Sequence, residues 1–420
     1  VRDLIMKDIL GSPAILVGLF ALIGLLLQRK NIADTVSGTL KTIMGFLILG
    51  AGAGVLINSL GIFSKMFEKG FHISGVIPNN EAIVAVAQKT FGTETALIML
   101  FGMVVNILIA RYTRFKYIFL TGHHTLFMAC LIAATLATSG MTEIPLIIIG
   151  SVILGSLMVL FPALLQPYVK KITGNDTIAV GHFGSIGYFI SGLIGKAFGD
   201  ITKTTEDIKV PKSLGFLRDT SVAVSLTMTL MFVSVSLFAG AAFIEKELSG
   251  GTNFLIFALM QAITFSAGVF IILAGVRMLL SEIVPAFKGI ADKIVPKAIP
   301  ALDCPAVFPF APNAAIIGFF FSFFAGLICM FLLPLVGLKV IVPGLVPHFF
   351  TGAAAGVFGN ATGGRRGAIL GAMANGCIIS FLPAMLLPVL GAIGFEGTTF
   401  GDSDFGVVGI LLGYLTKLFF

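Results

Sequence analysis

The sequence predicts an all-α polytopic membrane protein of eleven transmembrane helices, and three observations carry that fold class. First, 57% of the 420 residues are apolar, 11% are charged and the mean hydropathy is +1.05. No water-soluble domain could carry that surface. Second, the charges cluster and leave eleven uncharged runs between them: Ile9–Gln28, Thr42–Ser64, Thr95–Ala110, Tyr117–Thr142, Ile144–Val169, Thr220–Ile244, Leu248–Val276, Cys304–Leu338, Val340–Gly364, Gly367–Phe395 and Phe405–Thr416. At about 1.5 Å per residue, most of these reach across a hydrocarbon layer of about 30 Å. Third, backbone polar groups in hydrocarbon must pair within their own segment, and the runs are too long for barrel strands, so the spans are helices.

Other features follow the same logic. With 50 Gly and 40 Phe but no Trp, the composition suits helices packed closely through small residues, with Phe facing lipid. Cys130, Cys304, Cys329 and Cys377 stand in apolar surroundings without CxxC or Cys/His spacing and read as buried packing residues. Val1–Leu10 lacks the pattern of a cleaved signal, so no targeting peptide is expected. If the N-terminus lies outside, the inside regions hold twenty of the 27 Lys and Arg, among them Arg111, Arg114, Lys116, Lys170 and Lys293. That bias predicts that the N-terminus lies outside and the C-terminus inside. The net charge of +7 then reflects loops resting on anionic lipid, and no nucleic-acid partner is expected.

The chain also repeats itself. A shift of 223 residues lays Gly45, Ile48, Ala51, Gly52, Leu56 and Lys65 on Gly268, Ile271, Ala274, Gly275, Leu279 and Lys288, and Lys116 and Ile118 on Lys339 and Ile341. The expected organisation is one membrane domain over 1–420, with a first repeat at 1–200, a second at 219–400 and an extra C-terminal helix at 401–420. Five spans per repeat would invert the second copy, giving two inverted five-helix repeats. Pro78–Lys89 and Pro300–Pro312 are short, polar-tipped and proline-marked, and read as re-entrant hairpins. The shift lays Asn80 on Asp303, placing one polar tip from each half where such hairpins meet at a substrate site. A solvated outer loop at Asn79, Asn80 and Glu81, and an interfacial helix cap at Asp303, are the alternative readings.

The histidines point the same way. His123 and His124 open the run LTGHHTLF, and His182 lies in AVGHFGSIGYF. A lone His on an apolar face is usually a satisfied core residue. Two His segments together with an intramembrane carboxylate predict instead a site for a polar solute. Spacings such as HExxH, or His at i and i+4, are missing, so no metal is expected, and no cofactor. Neither GxSxG nor GxxxxGK[ST] occurs, so no catalytic residue is expected either.

The run LDCPAVFPFAPNA (Leu302–Ala314), with LTGH (Leu120–His123), GHFG (Gly181–Gly184), GVRMLLSEIVPAFKGI (Gly275–Ile290) and GGRRGA (Gly363–Ala368), resembles the ascorbate-type membrane subunit, component IIC, of the bacterial phosphoenolpyruvate-dependent phosphotransferase system (PTS). The resemblance implies a homodimer in which a dimerising scaffold holds a core that carries substrate across the membrane as a rigid body. It also implies phosphorylation of the solute by the phosphocysteine of a cytoplasmic IIB subunit, itself charged by IIA. His123, His182 and Asp303 match substrate-binding positions of that family, and Gly52 matches a segment that exposes backbone to the ligand. Asn80, Glu81 and His124 stand beside such positions. Two positions depart: where ascorbate members carry Gln, this chain has Phe127 and Phe183, and the tyrosine of the first hairpin is replaced near Asn80 or Glu81. The implied solute is therefore L-ascorbate or a related sugar, sugar acid or polyol. An ion-coupled symporter of similar inverted-repeat design is the alternative reading.

Overall fold

The computed structural model of the protein describes residues 13–72, 75–208, 220–390 and 398–416. Val1–Leu10, the stretch 209–219 within the long basic loop, and the end of the span expected to reach Phe395 lie outside those residues. The first half runs α1 (Pro13–Leu27), α2 (Ile32–Phe71), β1 (Gly75–Pro78), α3 (Asn80–Tyr112), β2 (Tyr117–Phe119), α4 (Gly122–Thr138), α5 (Glu143–Thr173), β3 (Ala179–Val180) and α6 (Ser185–Phe198). The second half runs α7 (Thr220–Ala239), α8 (Phe254–Ile294), β4 (Ile299–Leu302), a 3-10 helix (Cys304–Phe310) and α9 (Pro312–Leu332). It continues through β5 (Val340–Ile341), short helical turns from Leu345, α10 (Ala353–Leu390), β6 (Thr398–Thr399) and α11 (Ser403–Thr416).

Among the described residues six helices are long and apolar enough to cross a membrane, or seven if the pair Met228–Ala239 and Ala241–Leu248, bent by 98°, counts as one span. Gly122–Thr138 and Ser403–Thr416 are shorter apolar helices. An all-α membrane protein is thus what the chain forms, with fewer full-length crossings than the eleven expected runs. The second part of the run Val340–Gly364 and most of the run Gly367–Phe395 fall within α10. This helix breaks at Gly363 (φ −146°) and Gly364 (φ 56°, ψ −147°). A Cβ on Gly359 would strike the carbonyl of Gly367, and a Cβ on Gly367 that of Gly359. Eight residues of unbroken helix would hold those backbones about 12 Å apart. The chain therefore folds back at the glycine pair, where Gly364 adopts the left-handed φ that a side chain resists. The region from Lys170 to Arg218, expected as one inside loop, contains a helix as well: α6, which packs along α10.

Two small parallel sheets sit among the helices. One has the order β5-β1-β6 and the other β2-β4-β3. Each has a central strand from one half of the chain and flanking strands from the other. Strands survive inside such a protein only where protein covers their polar edges. Asn106 of α3 does this for β2: its Nδ2 donates to the Tyr117 carbonyl at 3.0 Å, and its Oδ1 accepts from Phe119 N at 3.1 Å.

The segments expected as re-entrant hairpins are both strand-to-helix junctions. Beyond β1, Asn79 caps α3, its side chain accepting from Ala82 N, and α3 continues past one non-helical residue, Phe91. Beyond β4, Asp303 caps the 3-10 helix by accepting from Cys304 N at 2.7 Å. Three of the four cysteines are buried as expected. Cys377 is exposed, because it stands on an outward face of α10.

Candidate functional site

The two strand-to-helix junctions aim their helix starts at a common hollow. Asn80 and Glu81 begin α3, Asp303 begins the 3-10 helix, and His123 and His124 lie in the first turn of α4. His182 stands in the loop between β3 and α6. These residues, with Phe127, Phe270, Arg277, Pro305, Val346, Pro347, Phe350 and Asp402, line a cavity of 490 Å³. A cavity of that size suits a small organic solute.

The hydrogen bonds fix how the side chains present themselves. His182 Nδ1 accepts from Gly184 N at 3.0 Å and pairs with the Tyr188 hydroxyl at 2.8 Å. His124 Nδ1 accepts from Phe183 N at 3.3 Å. A backbone N–H can only donate, so neither Nδ1 carries a proton, both rings are neutral, and each Nε2 bears the hydrogen. Those two Nε2–H groups face carboxylates. His182 Nε2 lies 3.9 Å from Asp303 Oδ1, and His124 Nε2 lies 3.9 Å from Asp402 Oδ2. His123 Nε2 lies 3.4 Å from Asp303 Oδ2. The two 3.9 Å separations are too long for a direct hydrogen bond and leave room for a ligand atom to bridge.

Asp402 is held from the side. Asn80 Nδ2 donates to its Oδ2 at 2.9 Å, and Asn80 Oδ1 accepts from Gly401 N at 2.8 Å. Its other oxygen, Oδ1, and Glu81 Oε2 are buried without a hydrogen-bond partner. A buried acceptor left unpaired costs about 1–3 kcal/mol. Asp404 acts behind the cavity: its carboxylate accepts from Ser185 N at 2.8 Å and Ile186 N at 2.9 Å, and its own N–H donates to the Phe183 carbonyl at 3.0 Å. This clamp on the start of α6 steadies the loop that presents His182.

By distance alone, His124, His182 and Asp402 could surround a metal ion. The chemistry of the donors does not suit one. Both imidazoles commit their lone pair at Nδ1 to backbone donors, so the Nε2 atoms facing the cavity are hydrogen-bond donors and not ligands.

Seven of the nine residues singled out from the sequence line this cavity: His123, His124, His182, Asp303, Asn80, Glu81 and Phe127. The other two lie elsewhere. Phe183 is fully buried, stacks on Phe119 with ring centroids 5.0 Å apart, and meets the site from behind, through its backbone N–H to His124 and its ring, whose centroid lies 6.1 Å from that of His124. Gly52 is buried within α2, a helix that packs along α8, and is not among the residues lining the cavity. Arg277 and Asp402 had not been anticipated. Arg277 was read as a loop charge, yet α8 continues through it. Asp402 looked like the boundary of the last span.

A scan against family models matches residues 8–404 to the PTS system sugar-specific permease component. The chain belongs to this family. The permease is also similar to the "Ascorbate-specific PTS system EIIC component" of Mycoplasma pneumoniae, 28% identical over 423 aligned residues that cover 87% of this chain. It spans 63% of that relative's length. The family and the apolar helices together make the permease a multi-pass membrane protein.

Proposed function

We propose that the permease moves a small polyhydroxylated solute, L-ascorbate or a related sugar, sugar acid or polyol, across the bacterial inner membrane by group translocation. The observation that carries this reading is the convergence of His123, His182 and Asp303 on one cavity inside a chain of this family. A cytoplasmic IIB subunit, recharged by IIA, supplies the phosphoryl group from its phosphocysteine, and this chain supplies the binding site and the path. The environment of its own cysteines supports that division of labour. Cys130, Cys304 and Cys329 are buried, the exposed Cys377 stands on α10 away from the cavity lining, and no cysteine lines the cavity among the described residues.

The route rests on two halves related as inverted repeats, with eleven spans, a scaffold that dimerises and a core that rocks. Matching element bounds support the repeat. A displacement of 223 carries Ile32–Phe71 to 255–294, against the helix Phe254–Ile294, and Tyr117–Phe119 to 340–342, against the strand Val340–Ile341. That displacement carries Ser185 to 408, within Ser403–Thr416, so the last helix overlaps the counterpart of α6 and belongs to the second repeat on this reading. The same displacement pairs Asn80 with Asp303, His123 with Val346, His124 with Pro347 and Phe127 with Phe350, all lining one cavity. Such pairing is what a midplane site between mirrored halves requires.

With the N-terminus periplasmic, the charge bias puts Lys116 and Lys297 on the cytoplasmic side. A more open hollow of 550 Å³ shares His123, Arg277 and Asp303 with the cavity and is walled by Leu120 and Leu302, at the ends of the strands that follow those lysines. The site then opens toward the phosphorylating partner. Uptake by proteoliposomes tests the mechanism: the solute should appear inside as its phosphate ester only when phosphorylated IIB is present. Accumulation of unmodified solute driven by a proton or sodium gradient alone would refute group translocation.

A further inference from the structure

The more open hollow beside the solute cavity has chemistry of its own. Arg277 of α8 lines it together with the start of α4, which reaches it through Thr121, Gly122 and His123. Arg277 is exposed, lies beyond the apolar window Phe254–Ile271, and meets no acceptor at hydrogen-bond or ion-pair distance among the described residues. An arginine inside a membrane domain is costly unless it finds a partner, so a free guanidinium there marks a place for a ligand.

The start of α4 adds donors of the same kind. A helix leaves its first N–H groups unpaired unless a side chain caps them, and the positive end of its dipole favours anions. Thr121 stands at the cap position of α4 but makes no cap bond: its Oγ1 is buried and has no hydrogen-bond partner. Ser281, one turn beyond Arg277, commits its hydroxyl to the Met278 carbonyl at 2.8 Å and adds nothing. The hollow therefore offers donors from two elements, one of them permanently charged, in a space of 550 Å³. Asp303 is its one carboxylate among the described residues, with Oδ2 turned to His123 at 3.4 Å and Oδ1 to Cys304 N at 2.7 Å.

We propose that Arg277, with the first-turn N–H groups of α4, forms an anion subsite that holds the phosphoryl group on its way from the IIB phosphocysteine to the solute. The inference rests on the reading of the permease as a group translocator. In the transfer a solute hydroxyl oxygen bonds to phosphorus as the P–S bond breaks. The sulfur leaves with the electron pair as a thiolate, and the hydroxyl proton passes to the Asp303 carboxylate. The hollow is placed for this, because it shares His123, Arg277 and Asp303 with the solute cavity, so acceptor and donor approach the same residues from two sides. A guanidinium fork grips two phosphoryl oxygens at once and leaves the in-line path of attack and departure open.

The test begins with inorganic phosphate, titrated by calorimetry and by thermal shift into the purified full-length protein in phosphatidylcholine nanodiscs, against sodium chloride of equal ionic strength. The wild type should bind it saturably. R277Q should bind it at least about tenfold more weakly and R277K between the two, because lysine keeps the charge and loses the fork. D303N should bind it about threefold more tightly, since a repelling charge is gone. Single-turnover transfer from phosphorylated IIB, with L-ascorbate, D-xylose and xylitol as acceptors, should slow at least about 100-fold in R277Q, a larger change than in its affinity for the acceptor. Phosphate binding absent from the wild type, or equal in folded R277Q, would overturn the subsite and leave group translocation standing. So would a defect of R277Q seen only in nanodiscs containing phosphatidylglycerol, which would assign Arg277 to a lipid headgroup. Phosphate binding by the wild type without transfer to any acceptor would instead overturn the group-translocation reading, and with it the role given to the subsite.

Discussion

Asp303→Asn is the substitution that separates a binding role from a structural one, because the structural role survives it. In the wild-type protein Asp303 Oδ1 caps the 3-10 helix by accepting from Cys304 N at 2.7 Å, and an asparagine oxygen at the same place accepts that bond equally. What the change removes is the carboxylate charge and its second acceptor, Oδ2, which faces His123 at 3.4 Å, while an oxygen stays at the Oδ1 position 3.9 Å from His182. A hydrogen bond to a charged group contributes about 1.5–3 kcal/mol, so the solute's affinity should fall about 10- to 100-fold. Calorimetric titration of the purified variant reads this directly, with thermal unfolding alongside to establish that the fold is kept. A folded variant that binds as tightly as the wild type would mean that Asp303 only caps its helix.

Further outcomes follow from neighbouring contacts. Asp404→Ala leaves Ser185 N and Ile186 N without their acceptor and should cost about 1–2 kcal/mol of stability, with weaker binding as the His182 loop loosens; an unchanged unfolding midpoint would contradict the clamp. His182→Ala should abolish measurable binding while the protein still elutes at its native size, and retained affinity in calorimetry would remove His182 from the site. Gly359→Ala forces a methyl group into the Gly367 carbonyl and should destabilise the folded-back α10 by about 1–3 kcal/mol in thermal unfolding; a neutral result would argue against the tight return at Gly363–Gly364. Replacing all four cysteines by serine should leave phosphorylation-coupled uptake in place, and loss of phosphoryl transfer by a folded quadruple variant would place a phosphorylated cysteine on this chain.

The architecture was legible wherever one physical requirement dominates a long stretch of sequence. Hydrocarbon admits few charges, so the runs Thr42–Ser64, Ile144–Val169 and Leu248–Val276 reappear inside α2, α5 and α8. Reading failed where protein, and not lipid, surrounds the chain. The strands β1–β6 are two to four residues long, too short to show an alternating pattern. The helix α6 carries a single charge, Lys196, but is only 14 residues long, lies between the charged segments around Lys170 and Lys203, and packs against α10, so it falls within the expected loop. The fold-back at Gly363–Gly364, by contrast, falls where the sequence placed a boundary between two uncharged runs.

At the site, residue type was a good guide where polarity conflicts with depth. His123, His182 and Asp303 stood out because ionisable groups among apolar neighbours are costly unless they have work to do. Asp402 escaped because it sits beside Asp404 at the edge of a run, and Arg277 because it is the first charge after the run Leu248–Val276, so both looked like ordinary boundary residues. Phe183 misled in the other direction. Its place beside His182 suggested a role in the cavity wall, but the chain turns there, and the ring points into a cluster with Phe119, Phe161 and Phe405. Adjacency along the chain does not mean a shared face in a loop.

A structure determined with solute bound tests the account most directly. The solute's oxygens should lie within hydrogen-bond reach of His182 Nε2 and Asp303, with the carbon chain against Phe127 and Phe350. Solute seated anywhere else, with those side chains turned to protein partners of their own, would contradict it.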